Sequence, residues 1–269
     1  MSTGQPGAGY RPLVLPGGLE ELERSGPSSS DGTCTLVAAD SVTLVWRQDL
    51  ESGEPAVFKM YRHRGRVSWW RENHSRFRVQ REFKALTYLE QRGIPASAPL
   101  FWSSGRCADY GRYEILATRE IPGTVPLNDL VARDRPEPSR LGELYRIVRM
   151  MHDHGFHHGS LMPRNVLVTQ DRSRVWAFHI IDTPKSIVFP YAVAGMRPAW
   201  IDLLDLSLEL FNELGMESCA PLLADYGFDQ DTVERFLARL QRYLPTRHTR
   251  NLHRAECQAR ELLAKVRSR

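Results

Sequence analysis

Hydrophobic residues in the first part of the chain are grouped in short runs typical of strands. β-Branched and aromatic residues dominate residues 35–37, 42–46 and 56–61, and polar turn-forming stretches separate these runs. The pattern predicts an antiparallel meander of three strands. The following segment, 71–91, carries apolar residues three and four positions apart, which predicts a helix that ends before Gly93.

The spacing of hydrophobic residues becomes mainly helical after residue 126. Two more extended runs come before this point, and a stretch with Pro and Gly at 121–126 is typical of a linker. Beyond it, one hairpin with a polar turn interrupts the helical spacing. The predicted elements are strands at 100–103 and 113–118, helices at 141–151, 200–214 and 233–244, and hairpin strands at 166–169 and 175–181.

These elements predict an α+β fold made of an arm and two lobes. Residues 1–32 are rich in Gly, Pro and Ser, which predicts a flexible N-terminal arm. Residues 33–120 are expected to form a small lobe with an antiparallel sheet and one helix. Residues 121–269 are expected to form a mainly helical lobe, which contains the loop and hairpin at 158–182 and basic C-terminal helices.

The composition excludes several classes of protein. With 42% hydrophobic and 25% charged residues, the chain is neither disordered nor fibrous. No apolar run approaches the roughly 18 residues of a membrane span, and the N-terminus lacks the layout of a signal peptide. The four cysteines are too far apart for a Cys-x-x-Cys pair. We therefore expect a cytoplasmic protein with reduced thiols.

The basic residues are almost all arginine and lie in two regions. Of the 36 basic residues only four are lysine, and the net charge is +4. Residues 62–81 hold seven arginines against one glutamate, and residues 235–269 carry a net charge of +8. Each region is either a solvated helix face or a surface that binds an anionic partner. The second interpretation is open because guanidinium groups bind phosphate and carboxylate well. A nucleic-acid partner is disfavoured, since these regions lack interleaved exposed aromatic residues.

The segment around the predicted hairpin carries the most informative polar residues. Asn165 stands at the entry of the hairpin and Asp182 at its exit. Because antiparallel strands return the chain to its starting edge, we expect the two side chains to lie side by side. Amide and carboxylate oxygens are ligands that suit Mg²⁺.

A lysine within a predicted strand is a second candidate. Lys59 lies in the strand at 56–61, where burying its ammonium group would be costly without a carboxylate or a phosphate nearby. Glu82, on the following helix, is the candidate partner.

Four histidines within residues 152–158 raise the possibilities of a metal site and of a nucleophile. Zinc is disfavoured because the His-Glu-x-x-His spacing and nearby cysteines are missing. A hydrolase is disfavoured because Ser160 lacks the Gly-x-Ser-x-Gly elbow. We expect His158 to be packed against the loop backbone, and His152 and His154 to lie at the exposed end of the preceding helix.

In this order, the motifs resemble the protein-kinase-like fold, and within it the lipopolysaccharide kinases of the Kdo kinase, WaaP and InaA type. The likeness covers residues 35 to about 215. It implies a bilobal fold, with ATP and Mg²⁺ as cofactors. Lys59 would be the strand-three lysine, and Glu82 its partner on helix C.

The resemblance also assigns the residues of the second lobe. His-Gly-Ser-Leu-Met-Pro-Arg-Asn at 158–165 resembles the family's catalytic loop, with His158 at its start. The resemblance implies that Asn165 and Asp182 bind the metal ion. It also implies that residues of both lobes bind the same nucleotide. The remaining assignments are Glu120 and Ile121 as the hinge beside the adenine, and Asp202 as the residue that braces the catalytic loop.

The chain departs from the family pattern at the position of the catalytic aspartate, where it has Ser160. A serine hydroxyl does not accept a proton at neutral pH, and loss of a positioned base typically costs about 10²- to 10⁴-fold in rate. Phosphoryl transfer rests mainly on positioning and charge neutralisation, so slow transfer is physically possible. Asp153 and His157 are near enough in sequence to replace the base. The turn at 38–41 also lacks the glycines that present N–H groups to phosphates.

Two hypotheses from different classes follow. The first is ATP- and Mg²⁺-dependent phosphoryl transfer to a hydroxyl of a lipopolysaccharide core sugar, heptose or Kdo. The basic regions would then hold the protein to anionic glycolipid at the inner face of the membrane, at roughly 1 kcal/mol per basic residue. The second is a pseudokinase, a regulatory or scaffold module that keeps the fold without catalysis.

Overall fold

The computed structural model describes residues 34–39, 42–50, 52–63, 78–107, 111–170 and 175–243. Three sequence predictions lie outside these residues in whole or in large part. They are the arm at 1–32, most of the arginine-rich region at 62–81, and the basic region beyond residue 243.

The chain divides into two compact units. Among the described residues, the first unit runs to Lys84 and takes in Ser97–Glu120. The second unit consists of Ala85–Ala96 and the residues from Ile121 onward.

The first unit contains a five-stranded antiparallel sheet in the order β1-β2-β3-β5-β4. The predicted strands of the meander and the two later extended runs all fall within it. The strands are β1 Cys34–Ala39, β2 Thr43–Asp49, β3 Pro55–His63, β4 Pro99–Cys107 and β5 Gly111–Arg119.

Alternating residues on the central strands form the core of this sheet. Trp46 on β2 faces Phe58 on β3 in the strand register, and their rings stack with centroids 5.2 Å apart. Both are fully buried, with Leu44 and Met60 beside them. Such cross-strand aromatic pairs stabilise a sheet and fix its register. The register in turn fixes which face Lys59 occupies.

The helix predicted over 71–91 is confirmed for its described part as α1 (Arg78–Gln91). Val79, Leu86 and Leu89 are buried, which matches the predicted apolar face. The helix ends as predicted, because Gly93 adopts a φ of 66° that a side chain would disfavour.

The second unit is mainly helical. The predicted helices correspond to α3, α4 and α6, and the predicted hairpin to β8 and β9. The helices are α2 Leu127–Asp134, α3 Gly142–Asp153, α4 Arg197–Leu214, α5 Met216–Asp225 and α6 Gln230–Tyr243; the strands are β6 Val125–Pro126, β7 Phe156–His157, β8 Val166–Gln170, β9 Trp176–Ile180 and β10 Ile187–Val188.

Several elements of this unit were not predicted. Part of the linker at 121–126 forms β6, which pairs with β8 and is followed directly by α2. Helix α5 contains Pro221, a residue that normally ends a helix. Strands β7 and β10 pair over two residues each, which is too short to give an alternating pattern.

The core of the second unit is built around α4. Eleven of its 18 residues are buried, and they pack with apolar residues of α2, α3, α5 and α6. Helix α4 begins three residues before the predicted start because Pro198 is tolerated in its first turn. No helix in the described part of the chain is both long enough and apolar enough to cross a membrane. An antiparallel sheet with helices confirms the α+β prediction.

Candidate functional site

In the first unit, Lys59 and Glu82 form an ion pair. Lys59 Nζ lies 3.1 Å from Glu82 Oε1. Tyr61, two residues along β3 and therefore on the same face, donates its hydroxyl to Glu82 Oε2 at 3.0 Å. Both carboxylate oxygens thus have a partner, as a carboxylate that is only 2% exposed requires.

The environment of Lys59 differs from that of Glu82. Its side chain is 18% exposed, and it lies on β3 between Val45 of β2 and Leu116 of β5. An ammonium group has three hydrogens to donate, and Glu82 accepts one of them. The ion pair fixes the position of the Lys59 ammonium group on this face of the sheet.

In the second unit, the hairpin brings Asn165 and the residues after β9 together. Val166 and Ile180 are partners in the register of β8 and β9, and Ile181 N–H donates to Asn165 O at 3.0 Å. Asp182 is the next residue. The structure therefore places the two predicted metal ligands at the same end of the hairpin.

The side chain of Asn165 is held by a backbone contact within the loop at 158–165. Its Nδ2 donates to the backbone oxygen of Ser160 at 2.8 Å. Because the amide nitrogen is engaged, Oδ1 is the atom left to bind a cation, and it makes no hydrogen bond to any described residue. Mg²⁺ takes oxygen ligands and is commonly bound by one or two carboxylates together with substrate phosphates. The amide oxygen and the Asp182 carboxylate fit this ion.

Asp182 itself has an unusual backbone conformation. Its φ is 60°, in the left-handed region that non-glycine residues rarely adopt. Such conformations cost of order 1–3 kcal/mol, persist where the surrounding structure imposes them, and cluster at functional sites. Aspartate tolerates this region better than most residues.

Asp202, on α4, is the centre of a buried network. Its Oδ1 accepts the backbone N–H of Gly159 at 2.9 Å, and its Oδ2 accepts that of His158 at 2.7 Å. Oδ2 also accepts His157 Nδ1 at 3.0 Å and His152 Nε2 at 3.2 Å. Complete burial alone would raise the pKa of Asp202, but the contacts with the two histidines outweigh burial and hold it well below its usual value. The carboxylate is therefore ionised and holds the loop backbone at two successive residues.

The structure corrects one sequence expectation about the histidines. His152 does not lie at an exposed helix end: it is completely buried, between Asp202 and the Tyr226 hydroxyl. His154 is exposed, as predicted. His158 is buried, as predicted, and its Nε2 donates to the backbone oxygen of Ile181 at 3.0 Å. This backbone partner follows β9 and does not lie in the loop at 158–165. Burial lowers the pKa of His152 and His158, so both rings are neutral.

Ser160 lies at the turn between the Asp202 contacts and Asn165. It is 7% exposed, and its backbone oxygen accepts Met162 N–H at 2.9 Å as well as the asparagine amide. Gly159 before it has a φ of 76°, and a Cβ there would lie 2.7 Å from Lys185 O. The loop therefore requires glycine at this position.

The two residues considered as substitute bases have other contacts. Asp153 is exposed and forms an ion pair with Arg149, one turn earlier on α3. His157 is buried and donates to Asp202.

The predicted hinge residues follow β5. Glu120 N–H donates to Pro55 O at 3.1 Å, and its carboxylate pairs with Arg47. Ile121 O accepts the Thr124 hydroxyl at 3.0 Å. Their assignment to the adenine stays a prediction. The sequence between β1 and β2, residues 40–42, contains no glycine.

The sequence did not identify Tyr61 or Tyr226 as parts of these networks. Tyr61 had a usable signal, because it lies two residues from Lys59 on a predicted strand and so shares its face. Tyr226 had none, since it is 74 residues from His152 and lies in a segment without a predicted element.

The family model of the lipopolysaccharide kinase (Kdo/WaaP) family matches residues 51–188. This range includes every site residue described above except Asp202 and Tyr226. A search of curated proteins found no match to the chain.

Solved structures with a similar fold are protein kinases and kinase-like proteins. A structure described as WaaP in complex with acyl carrier protein is 18% identical, with a TM-score of 0.57, and the match covers 78% of this chain and 86% of that one. The Rio2 kinase from Chaetomium thermophilum is 16% identical, with a TM-score of 0.51, over 84% of this chain and 75% of that one. The likeness confirms the protein-kinase-like fold.

Proposed function

The chain belongs to the lipopolysaccharide kinase (Kdo/WaaP) family, and from this premise we propose that it transfers the γ-phosphoryl group of ATP to a hydroxyl group of a lipopolysaccharide core sugar, heptose or Kdo. The observation that carries the proposal is the ion pair between Lys59 and the buried Glu82. A buried carboxylate with both oxygens engaged holds the ammonium in one place, as binding of a phosphate requires.

Each site residue has a role in this proposal. Lys59 donates to a phosphate oxygen, and Asn165 Oδ1 and the Asp182 carboxylate hold the cation. The bound Mg²⁺ would neutralise charge on the phosphates. Asp202 keeps the backbone of the catalytic loop in place through His158 and Gly159.

In the proposed reaction, the acceptor hydroxyl oxygen forms a bond to the γ-phosphorus while the bond to the β,γ-bridging oxygen breaks. The acceptor proton leaves to solvent or to a phosphate oxygen, because Ser160 does not accept it. Because phosphoryl transfer rests mainly on positioning and charge neutralisation, loss of the base is expected to slow transfer rather than abolish it. Backbone groups of Glu120 and Ile121 would contact the adenine.

The proposed acceptor also suggests a location and a partner. ATP and the glycolipid would meet at the cytoplasmic face of the inner membrane, where the basic regions of the sequence attract anionic lipid. The similar WaaP structure is a complex with acyl carrier protein, which supports testing that protein as a partner.

A second candidate function is a pseudokinase, and Ser160 favours it. The residue stands in the loop where the resemblance expects the catalytic aspartate. The two candidate substitutes already have partners, since Asp153 pairs with Arg149 and His157 donates to Asp202. Such a protein would bind nucleotide without transfer and act as a regulatory or scaffold module.

The proposal is tested by measuring nucleotide binding and transfer on the same full chain. Mg-ATP at a hundredfold excess over Kd should stabilise the protein by about 2.7 kcal/mol, and labelled phosphate should appear on purified core oligosaccharide. Asp182→Asn should reduce both effects, whereas Asp134→Asn, at an exposed position of α2, should change neither.

Three outcomes are distinguishable. Stabilisation together with transfer supports the kinase. Stabilisation without transfer selects the pseudokinase. No stabilisation by Mg-ATP, in a folded sample, contradicts both.

A further inference from the structure

Tyr226 lies at the end of α5 and extends the Asp202 network through a buried contact. It is completely buried, and its hydroxyl lies 2.8 Å from His152 Nδ1 on α3. The two rings meet edge to face, with centroids 5.6 Å apart. The side chain is completely enclosed and cannot touch a substrate, so Tyr226 can act only through neighbours such as His152.

The direction of each hydrogen bond around His152 follows from its partners. The ionised Asp202 carboxylate only accepts, so His152 Nε2 carries the hydrogen. The ring is neutral, and its Nδ1 therefore presents a lone pair. The Tyr226 hydroxyl donates to that lone pair. The chain of donors runs from Tyr226 through His152 to Asp202, which in turn accepts the backbone of the catalytic loop.

His152 also contacts the segment that follows Asp182. Its backbone oxygen accepts Val193 N–H at 2.8 Å, and nearby Gly155 O accepts Phe189 N–H at 2.8 Å. A shift of His152 would therefore displace both the loop at 158–165 and the segment between β10 and α4.

We propose that Tyr226 is a positioning residue, whose hydroxyl fixes the tautomer and ring orientation of His152 and thereby holds Asp202 and the His158–Gly159 backbone in the geometry used for transfer. Its catalytic consequence rests on the proposed function, but the hydrogen-bond coupling does not. Removing the Tyr226 hydroxyl leaves His152 Nδ1 buried without a donor, so the imidazole ring is held less firmly.

The first test measures the coupling without any substrate. In the wild-type full chain, ¹⁵N NMR should show His152 as the Nε2–H tautomer with a hydrogen-bonded Nδ1. In Tyr226→Phe, amide exchange of His158 and Gly159 should accelerate about fivefold or more, after correction for global stability. An Nδ1–H tautomer in the wild type would overturn the proposal, even if the variant fails to fold.

The matched control is Tyr145→Phe. Tyr145 is also completely buried on α3, and its hydroxyl lies 2.9 Å from Ser207 Oγ on α4. This variant removes a buried tyrosine hydroxyl that links α3 to α4, without touching His152. Equal acceleration at His158 and Gly159 in both variants would mean that the effect is general loosening, which contradicts the proposal.

The second test separates this inference from the proposed function. Tyr226→Phe should lower kcat for transfer about tenfold with the KM for ATP unchanged, and Tyr145→Phe should change neither. If the wild type transfers nothing, the proposed function fails and the exchange measurement still decides the coupling. If the wild type transfers and Tyr226→Phe matches it in kcat and in exchange, only the present inference fails.

Discussion

At the scale of single residues, the candidate site depends on how buried charges are satisfied. Glu82 was predictable from sequence because burying the ammonium group of a lysine within a strand is costly without a nearby group of opposite charge. His152 was misplaced because a polar residue in the last turn of a helix is usually solvated. Its partner, Asp202, lies 50 residues away, and no local pattern reports such a contact.

The role of Tyr61 gives a prediction at this scale. Tyr61→Phe leaves Glu82 Oε2 without its donor in a buried position, so the free energy of unfolding should fall by about 1–3 kcal/mol. Denaturant unfolding measures it. Tyr113→Phe is the control, because this half-buried tyrosine of β5 makes no hydrogen bond to a described residue through its hydroxyl. A loss no larger than that of the control would show that the hydroxyl does not satisfy Glu82.

Ser160 gives a second prediction. Ser160→Asp would supply the missing base, and any measured transfer rate should rise by a factor on the order of 10² or more. Single-turnover transfer from labelled ATP measures the rate, and Ser139→Asp, at an exposed position, serves as the control for added charge. An unchanged rate with Asp at 160 means that this residue does not occupy the position of the base.

At the scale of elements, long periodic segments were predictable and short ones were not. Helices α3, α4 and α6 and the β8–β9 hairpin follow from apolar spacing. Helix α2 and the two-residue strands have too few turns or pairs to give a period, and tertiary packing stabilises them. The juxtaposition of Asn165 and Asp182 was predictable because hairpin geometry alone brings the two strand ends together.

Three histidines, one on α3, one in the loop at 158–165 and one on β9, predict a pH dependence of stability. Burial lowers the pKa of His152, His158 and His179 in the folded protein. The unfolded chain therefore binds more protons below about pH 6.5, and stability falls as the pH drops through that value. The lowered pKa of Asp202 adds a loss only at much lower pH.

Urea unfolding between pH 7.5 and 5 measures this effect. His152 and His158 should each contribute up to roughly 1.4 kcal/mol per pH unit. His158→Asn should flatten the slope, and His154→Asn, at an exposed position, should not. A wild-type stability that is constant over this range would contradict the neutral, buried state of these rings.

At the scale of the whole molecule, the order of the motifs identified the fold before any contact was known. The order along the chain is a lysine on a strand, a glutamate on a helix, an asparagine in a loop and an aspartate after a hairpin. The match of residues 51–188 to the family model agrees with this order. Fold alone does not define activity, because one fold can host many unrelated functions. Binding of an anionic glycolipid by the basic regions stays a prediction.

The most direct test of the account is transfer of labelled phosphate from Mg-ATP to lipopolysaccharide core oligosaccharide by the wild type and two lysine variants. We predict transfer by the wild type and by Lys84→Ala, whose lysine is exposed on α1, and a loss of at least 10²-fold in Lys59→Ala. Transfer by Lys59→Ala at the wild-type rate, or none by any of the three proteins, would contradict the account.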